Sequence, residues 1–108
     1  MAVTETTDAY LFLQVAEHDR VIIKYNTDDC GPVCEAFTEI FDAYAGMPEY
    51  KEIIFLTINA ENNPVAKKHI LNKKQPVVAL YFKGQLLDSR HASNREGLDE
   101  LISILLSR

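Results

Sequence analysis

The chain has no tryptophan, only two cysteines and only four glycines in its 108 residues. Two cysteines cannot build the disulfide framework that staples small secreted domains; in a reducing compartment such a pair is more often catalytic or metal-binding. No apolar stretch approaches the ~18 residues that a membrane-spanning helix requires. Basic residues are also short, 11 against 16 acidic ones, for a formal net charge of -5. That balance argues against a nucleic-acid partner, which selects a basic excess. Met1 to Asp8 is acidic and threonine-rich and lacks the basic n-region of a signal peptide, so a mature, cytoplasmic protein is expected. There is no glycine-rich phosphate loop and no hydrolytic triad. His18, His69 and His91 are scattered, and the cysteines have no His or Cys near them at zinc-ligand spacing. Neither a metal nor a cofactor is therefore expected, and the histidines read as solvated surface. What remains is a globular composition, 47% hydrophobic and 25% charged, at a length that suits a single domain, 1–108.

The apolar pattern alternates between strand and helix. Thr6, Thr7 and Asp8 offer capping oxygens for a helix over Tyr10 to Glu17, with Leu11, Phe12, Val15 and Ala16 as its apolar stripe. A short edge strand can precede Thr6. After the polar break His18-Asp19-Arg20, Val21 to Asn26 reads as a strand covered on both faces. Beyond Pro32, a first-turn residue, the spacing becomes helical through Val33, Phe37, Ile40, Phe41 and Tyr44, and Gly46 and Pro48 stop it. Ile53 to Ile58 is the next strand, Asn59 to Asn63 a polar turn, and Asn63-Pro64 opens a helix to about Leu71. Lys73-Lys74-Gln75 is a loop, and Pro76 precedes the strand Val77 to Phe82. Lys83-Gly84 turns that strand back into Gln85 to Asp88. Asn94 caps a last helix whose stripe is Leu98, Leu101, Ile102 and Leu105. The order (β)αβαβαββα predicts an α/β fold: a central mixed sheet of four or five strands flanked by helices on both faces.

Both cysteines fall in Asp28-Asp29-Cys30-Gly31-Pro32-Val33-Cys34-Glu35, where the apolar strand gives way to the helix. A thiol just ahead of a helix gains from the exposed N–H groups and the macrodipole, which lower its pKa. Asp28 and Asp29 oppose this by like-charge repulsion, and either could cap the helix and occupy those N–H groups. Three residues separate the thiols, and two geometries follow. Either Cys30 lies outside the regular helix, with Gly31 supplying the unusual backbone, and a strained disulfide can close. Or the helix keeps its phase and Cys34 turns ~100° away from the position a resolving thiol needs.

The cysteine stretch after the second strand, then Asn63-Pro64, Pro76 and the hairpin run Val77 to Gly84, together resemble the thioredoxin family over roughly Val21 to Leu106. The resemblance implies a thioredoxin-like fold and thiol–disulfide exchange, with Cys30 as nucleophile and Cys34 as resolving thiol. It further implies that Pro76 is a cis-proline facing the cysteines and that Gln75 lends backbone atoms to a substrate strand, with Gly31 and Pro32 lining the same groove. Protein disulfides or thiols, and a reductase, are the implied partners of a monomer or weak dimer. Three positions depart from the family. Val33 stands where the second cysteine is expected, Asp29 replaces a tryptophan, and Lys24 aligns with a buried acid that manages protons for the buried cysteine.

Lys24, Asp28 and Asp29 are therefore candidate modulators of the thiols. For Lys24 the preferred expectation is that its stem packs along the strand and its head snorkels out to water; the other is a buried ammonium that lowers a thiol pKa. Lys67, Lys68, Lys73 and Lys74 could steer acidic partners, although such a run is usually a wet helix face. The preferred function is an atypical CxxxC thiol–disulfide oxidoreductase. The alternatives are a thioredoxin-fold binding or adaptor module without electron transfer, and single-thiol chemistry at Cys30.

Overall fold

The structure is a computed structural model that describes residues 3–27, 31–68 and 76–108. The strands are β1 (Val3–Thr6), β2 (Arg20–Asn26), β3 (Ile54–Asn59), β4 (Val77–Phe82) and β5 (Gln85–His91). They form one sheet in the order β1-β3-β2-β4-β5. β1 and β2 run parallel to β3, β4 runs antiparallel to β2, and β5 antiparallel to β4. The helices are α1 (Asp8–Glu17), α2 (Pro32–Ala45), α3 (Pro64–Lys67) and α4 (Arg95–Leu106), with short 3-10 turns at Pro48–Tyr50 and Ala60–Asn62. This is the mixed α/β sheet that the order of elements implied, and β2 holds its centre.

Alternation along the strands sends neighbouring residues to opposite faces. Ile22, Phe55, Val78 and Leu80 pack with Phe37, Phe41 and Tyr44 of α2 and with Leu98, Leu101, Ile102 and Leu105 of α4. Val21, Ile23, Tyr25, Leu56, Ile58, Val77 and Ala79 form the other layer, covered by Leu11 and Val15 of α1 and Ala66 of α3. The α4 stripe and its Asn94 cap are as expected, with Gly97 N–H donating to Asn94 Oδ1 at 2.9 Å. The tight hairpin is also found: Lys83 and Gly84 both have positive φ, 50° and 85°, which suits the twist between two-residue-linked strands.

Three elements depart from the expected pattern. α1 buries only part of its stripe, because Phe12 is 76% exposed and Ala16 is also exposed. The helix starts at Asp8, two residues earlier than expected, and Thr7 is its cap. Asp8 instead accepts hydrogen bonds from Val65 and Ala66 N–H at 2.9 and 3.0 Å, capping α3 across the fold. That tie fixes the rotation of α1 and turns Phe12 outward. β5 continues to His91 rather than ending at Asp88, because β4 offers it partners as far as Val77. An edge strand tolerates the polar Ser89 and Arg90. The helix expected from Asn63 is present through Lys67, and its continuation toward Leu71, like the loop at Lys73 to Gln75, lies outside the described residues.

Candidate functional site

β2 delivers the chain to one end of the sheet through Asn26 and the buried Thr27. Asp28, Asp29 and Cys30 lie outside the described residues, and the chain is next seen at Gly31. Gly31 has φ 80° and ψ -151°, a conformation essentially closed to residues with a Cβ. It is the N-cap of α2, and Pro32 opens the helix. The cap position is thus held by a residue without a side chain, and neither aspartate occupies it. Glu35 N–H donates the first helical bond to Gly31 O at 3.2 Å.

The phase of α2 decides which of its first residues faces inward. Val33, expected in the apolar stripe, is 43% exposed, while Cys34 is 8% exposed and leads the buried line Cys34, Phe37, Phe41, Tyr44. A helix turns 100° per residue, so Val33 and Cys34 cannot both join that line. Cys34 lies at the wall of a cleft of about 320 Å³ lined also by Asn26, Thr27, Gly31, Glu35 and Thr38. Pro76 is buried at the same end of the sheet, one residue before the Val77 that pairs with Tyr25. Its carbonyl accepts a hydrogen bond from Ala92 N–H at 3.2 Å. Gln75, and with it the expected cis peptide before Pro76, lies outside the described residues.

Lys24 does not snorkel. Its residue is 3% exposed, and Nζ donates a hydrogen bond to Thr38 Oγ1 at 2.9 Å, with the Phe41 ring 5.9 Å away. The snorkelling expectation fails because α2 roofs that face of β2 and offers the ammonium a hydroxyl partner under it. Burial pulls the lysine pKa down from its ordinary value, and attraction to Asp42 only partly offsets that. Around Lys24 the apolar layer turns polar. Thr57, its partner on β3, donates to Asn26 Oδ1 at 2.9 Å, and Thr38 donates to Cys34 O at 2.8 Å. Sequence reading passed over Thr38. Its signal was a hydroxyl one turn beyond Cys34 on the helix, where such a group habitually bonds the carbonyl four residues back.

Of the histidines, His18 is exposed as expected and His69 lies outside the described residues. His91 corrects the reading of solvated surface, since it is half-buried opposite Val77 and its Nδ1 is buried without a hydrogen-bond partner among the described residues. No cluster of three or more His, Cys, Asp or Glu side chains suited to a metal occurs among the described residues. Nor is any described helix long and apolar enough to cross a membrane. Lys67 and Lys68 are exposed on and just after α3, while Lys73 and Lys74 fall outside.

A buried cysteine on the first turn of a helix that follows a central strand, with a buried proline at the same sheet end, can be compared with known proteins. No family model matches the chain. A thioredoxin of Ictalurus punctatus is 24% identical over 83 residues, covering 77% of this chain and 77% of that protein. A poplar thioredoxin h superposes with a TM-score of 0.80 at 19% identity, covering 100% of this chain and 99% of that one. Malassezia sympodialis thioredoxin gives 0.79 at 19% identity, over 95% and 90%. The chain is thioredoxin-like in sequence and in fold. Within this thioredoxin-like frame, the cleft beside Cys34 is the candidate site; of the positions that depart from the family, Val33 adjoins Cys34, Lys24 reaches the cleft through Thr38, and Asp29 lies outside the described residues.

Proposed function

We propose that the protein is a thiol–disulfide oxidoreductase acting on protein disulfides through Cys30 and Cys34. The observation that carries this reading is the burial of Cys34 on the first turn of α2, beside a cleft and immediately after a left-handed Gly31. Gly31 takes the chain out of helical geometry just where Cys30 precedes it, which is the condition for two thiols at this spacing to meet. In the proposed reaction the Cys30 thiolate attacks one sulfur of a substrate disulfide and expels the other as a thiolate. Cys34, deprotonated, then attacks the mixed disulfide at Cys30 Sγ and releases the second substrate thiolate. The chain loses two electrons and gains the Cys30–Cys34 disulfide, the substrate gains both electrons, and solvent protonates the released thiolates. A dithiol reductase or small thiol resets the pair.

Gly31 and Pro32 on one side, and Gln75 and Pro76 on the other, are assigned to hold the substrate backbone, with the Gln75–Pro76 peptide read as cis. Asp28 and Asp29 are assigned to temper the acidity of Cys30. No cofactor takes part, and a cytoplasmic monomer or weak dimer is the proposed working form. Intact-mass measurement across a glutathione redox titration tests the pairing: the protein should lose two hydrogens reversibly, and Cys30→Ser should abolish turnover of a disulfide substrate. A mass that never changes across the titration would remove the reading.

A further inference from the structure

Lys24 places an ammonium group inside the core with a hydroxyl for a partner. Among the described residues it makes no ion pair. The groups that face it are Thr38, Phe41 and Asp42 from α2, Thr57 from β3 and Val78 from β4. Of these only Asp42 is charged, and it acts from beyond ion-pair distance. Taking an ammonium out of water costs several kcal/mol even after relaxation, and an apolar side chain of similar volume would avoid that cost. The charge is thus held against stability, and its hydrogen bonding leads toward the cysteine. Thr38 receives the Lys24 bond at 2.9 Å, passes its own to Cys34 O at 2.8 Å, and lines the cleft beside Cys34.

We propose that Lys24 is a positioning residue that sets the redox equilibrium of the Cys30–Cys34 pair, its buried positive charge stabilising Cys34 as a thiolate and making the oxidised pair easier for its reductant to reset. The inference rests on the thiol–disulfide reading above and concerns its resetting step. A thiolate of the partner dithiol that resets the pair attacks Cys30 Sγ, the Cys30–Cys34 bond breaks, and its electron pair goes to the Cys34 sulfur. The ammonium, linked through Thr38 to the Cys34 carbonyl, stabilises this leaving group, and a lower leaving-group pKa speeds the step. The partner's second thiol, having lost its proton to solvent, then closes the partner disulfide and frees Cys30. Two electrons have moved from partner to chain. The lysine in turn gains an anion that favours its protonated form despite its burial.

The test equilibrates the full chain and its variants in glutathione buffers and reads the oxidised fraction by intact mass, alongside urea unfolding and the pH profile of Cys34 alkylation. Lys24→Met should make the disulfide at least tenfold harder to reduce, about 30 mV for a two-electron couple. It should also move Cys34 alkylation to higher pH while leaving the unfolding midpoint unchanged or higher. Lys24→Gln repeats the loss of charge with a polar side chain should Met fail to fold, and Lys24→Arg should restore most of the wild-type equilibrium. A folded, neutral variant that titrates with the wild type overturns the inference while leaving the thiol–disulfide reading intact, as does an Arg variant that shifts as far as Met. A wild type that never forms the disulfide removes both.

Discussion

On the α2 and α4 face of the sheet, Phe37, Phe41, Leu98, Leu101 and Leu105 are all fully buried. Phe41 meets Phe55 edge-on at 5.3 Å, and Tyr44 of α2 donates to Asp99 Oδ1 of α4 at 2.7 Å, locking the two helices together. On the opposite face α1 has no buried residue at all. Tyr10, Phe12 and Leu13 are 64%, 76% and 53% exposed, and an apolar groove of about 240 Å³ runs among Leu11, Val15, Val65 and Tyr81. The candidate site lies instead at the Cys34 cleft, of about 320 Å³. Cys34, Thr38 and Lys24 are all set in the tightly packed layer. A charged group that makes no ion pair among the described residues and a cysteine with one inward orientation both need neighbours that cannot rearrange, and interiors packed at crystal-like density supply them. The looser face is free of that demand.

The comparison breaks most readily at Phe41. Phe41→Ala should cost about 3–5 kcal/mol, read as a fall in urea midpoint, because the ring supports Lys24 as well as Phe55. A loss near the size of a surface change would mean that the two faces are packed alike. Tyr44→Phe should cost about 0.5–1.5 kcal/mol and should alter the alkaline limb of stability. Its hydrogen bond to Asp99 and its burial push the phenol up from 10.0 to about 12. The folded state therefore holds that proton after the unfolded state has released it. The contribution is complete below pH 10 and is lost as pH rises toward 12. Unfolding measured across that window should fall less steeply in Tyr44→Phe than in the wild type; identical slopes would assign the alkaline loss to other groups. Phe12→Ser should change the midpoint least, by about 0.5 kcal/mol or less, and a larger loss would show that the α1 face carries more of the fold than its exposure indicates.

The sequence showed the fold more clearly than the site. The buried run Val21 to Tyr25, the α4 stripe and the Lys83-Gly84 turn announce themselves through period and turn chemistry, which are local. What stayed hidden depended on rotation about helix axes. Phe12 turns outward because Asp8 is tied to α3, and no spacing rule contains that tie. Val33 and Cys34 are both apolar enough to head the α2 stripe, and choosing between them needs the phase set where Gly31 takes positive φ. Lys24 looked like a snorkelling lysine because its strand reads the same whether or not a helix covers that face.

The closed setting of Lys24 separates it from its fellow cations in time as well as in space. Lys51, Lys67, Lys68 and Lys83 stand in water, open to any amine-modifying reagent, whereas Lys24, on the central strand and roofed by α2, has to wait for the fold to open. Its acetylation rate would serve as a clock for that opening, slow while the molecule is whole and rising to the pace of the others only as β2 loses its neighbours.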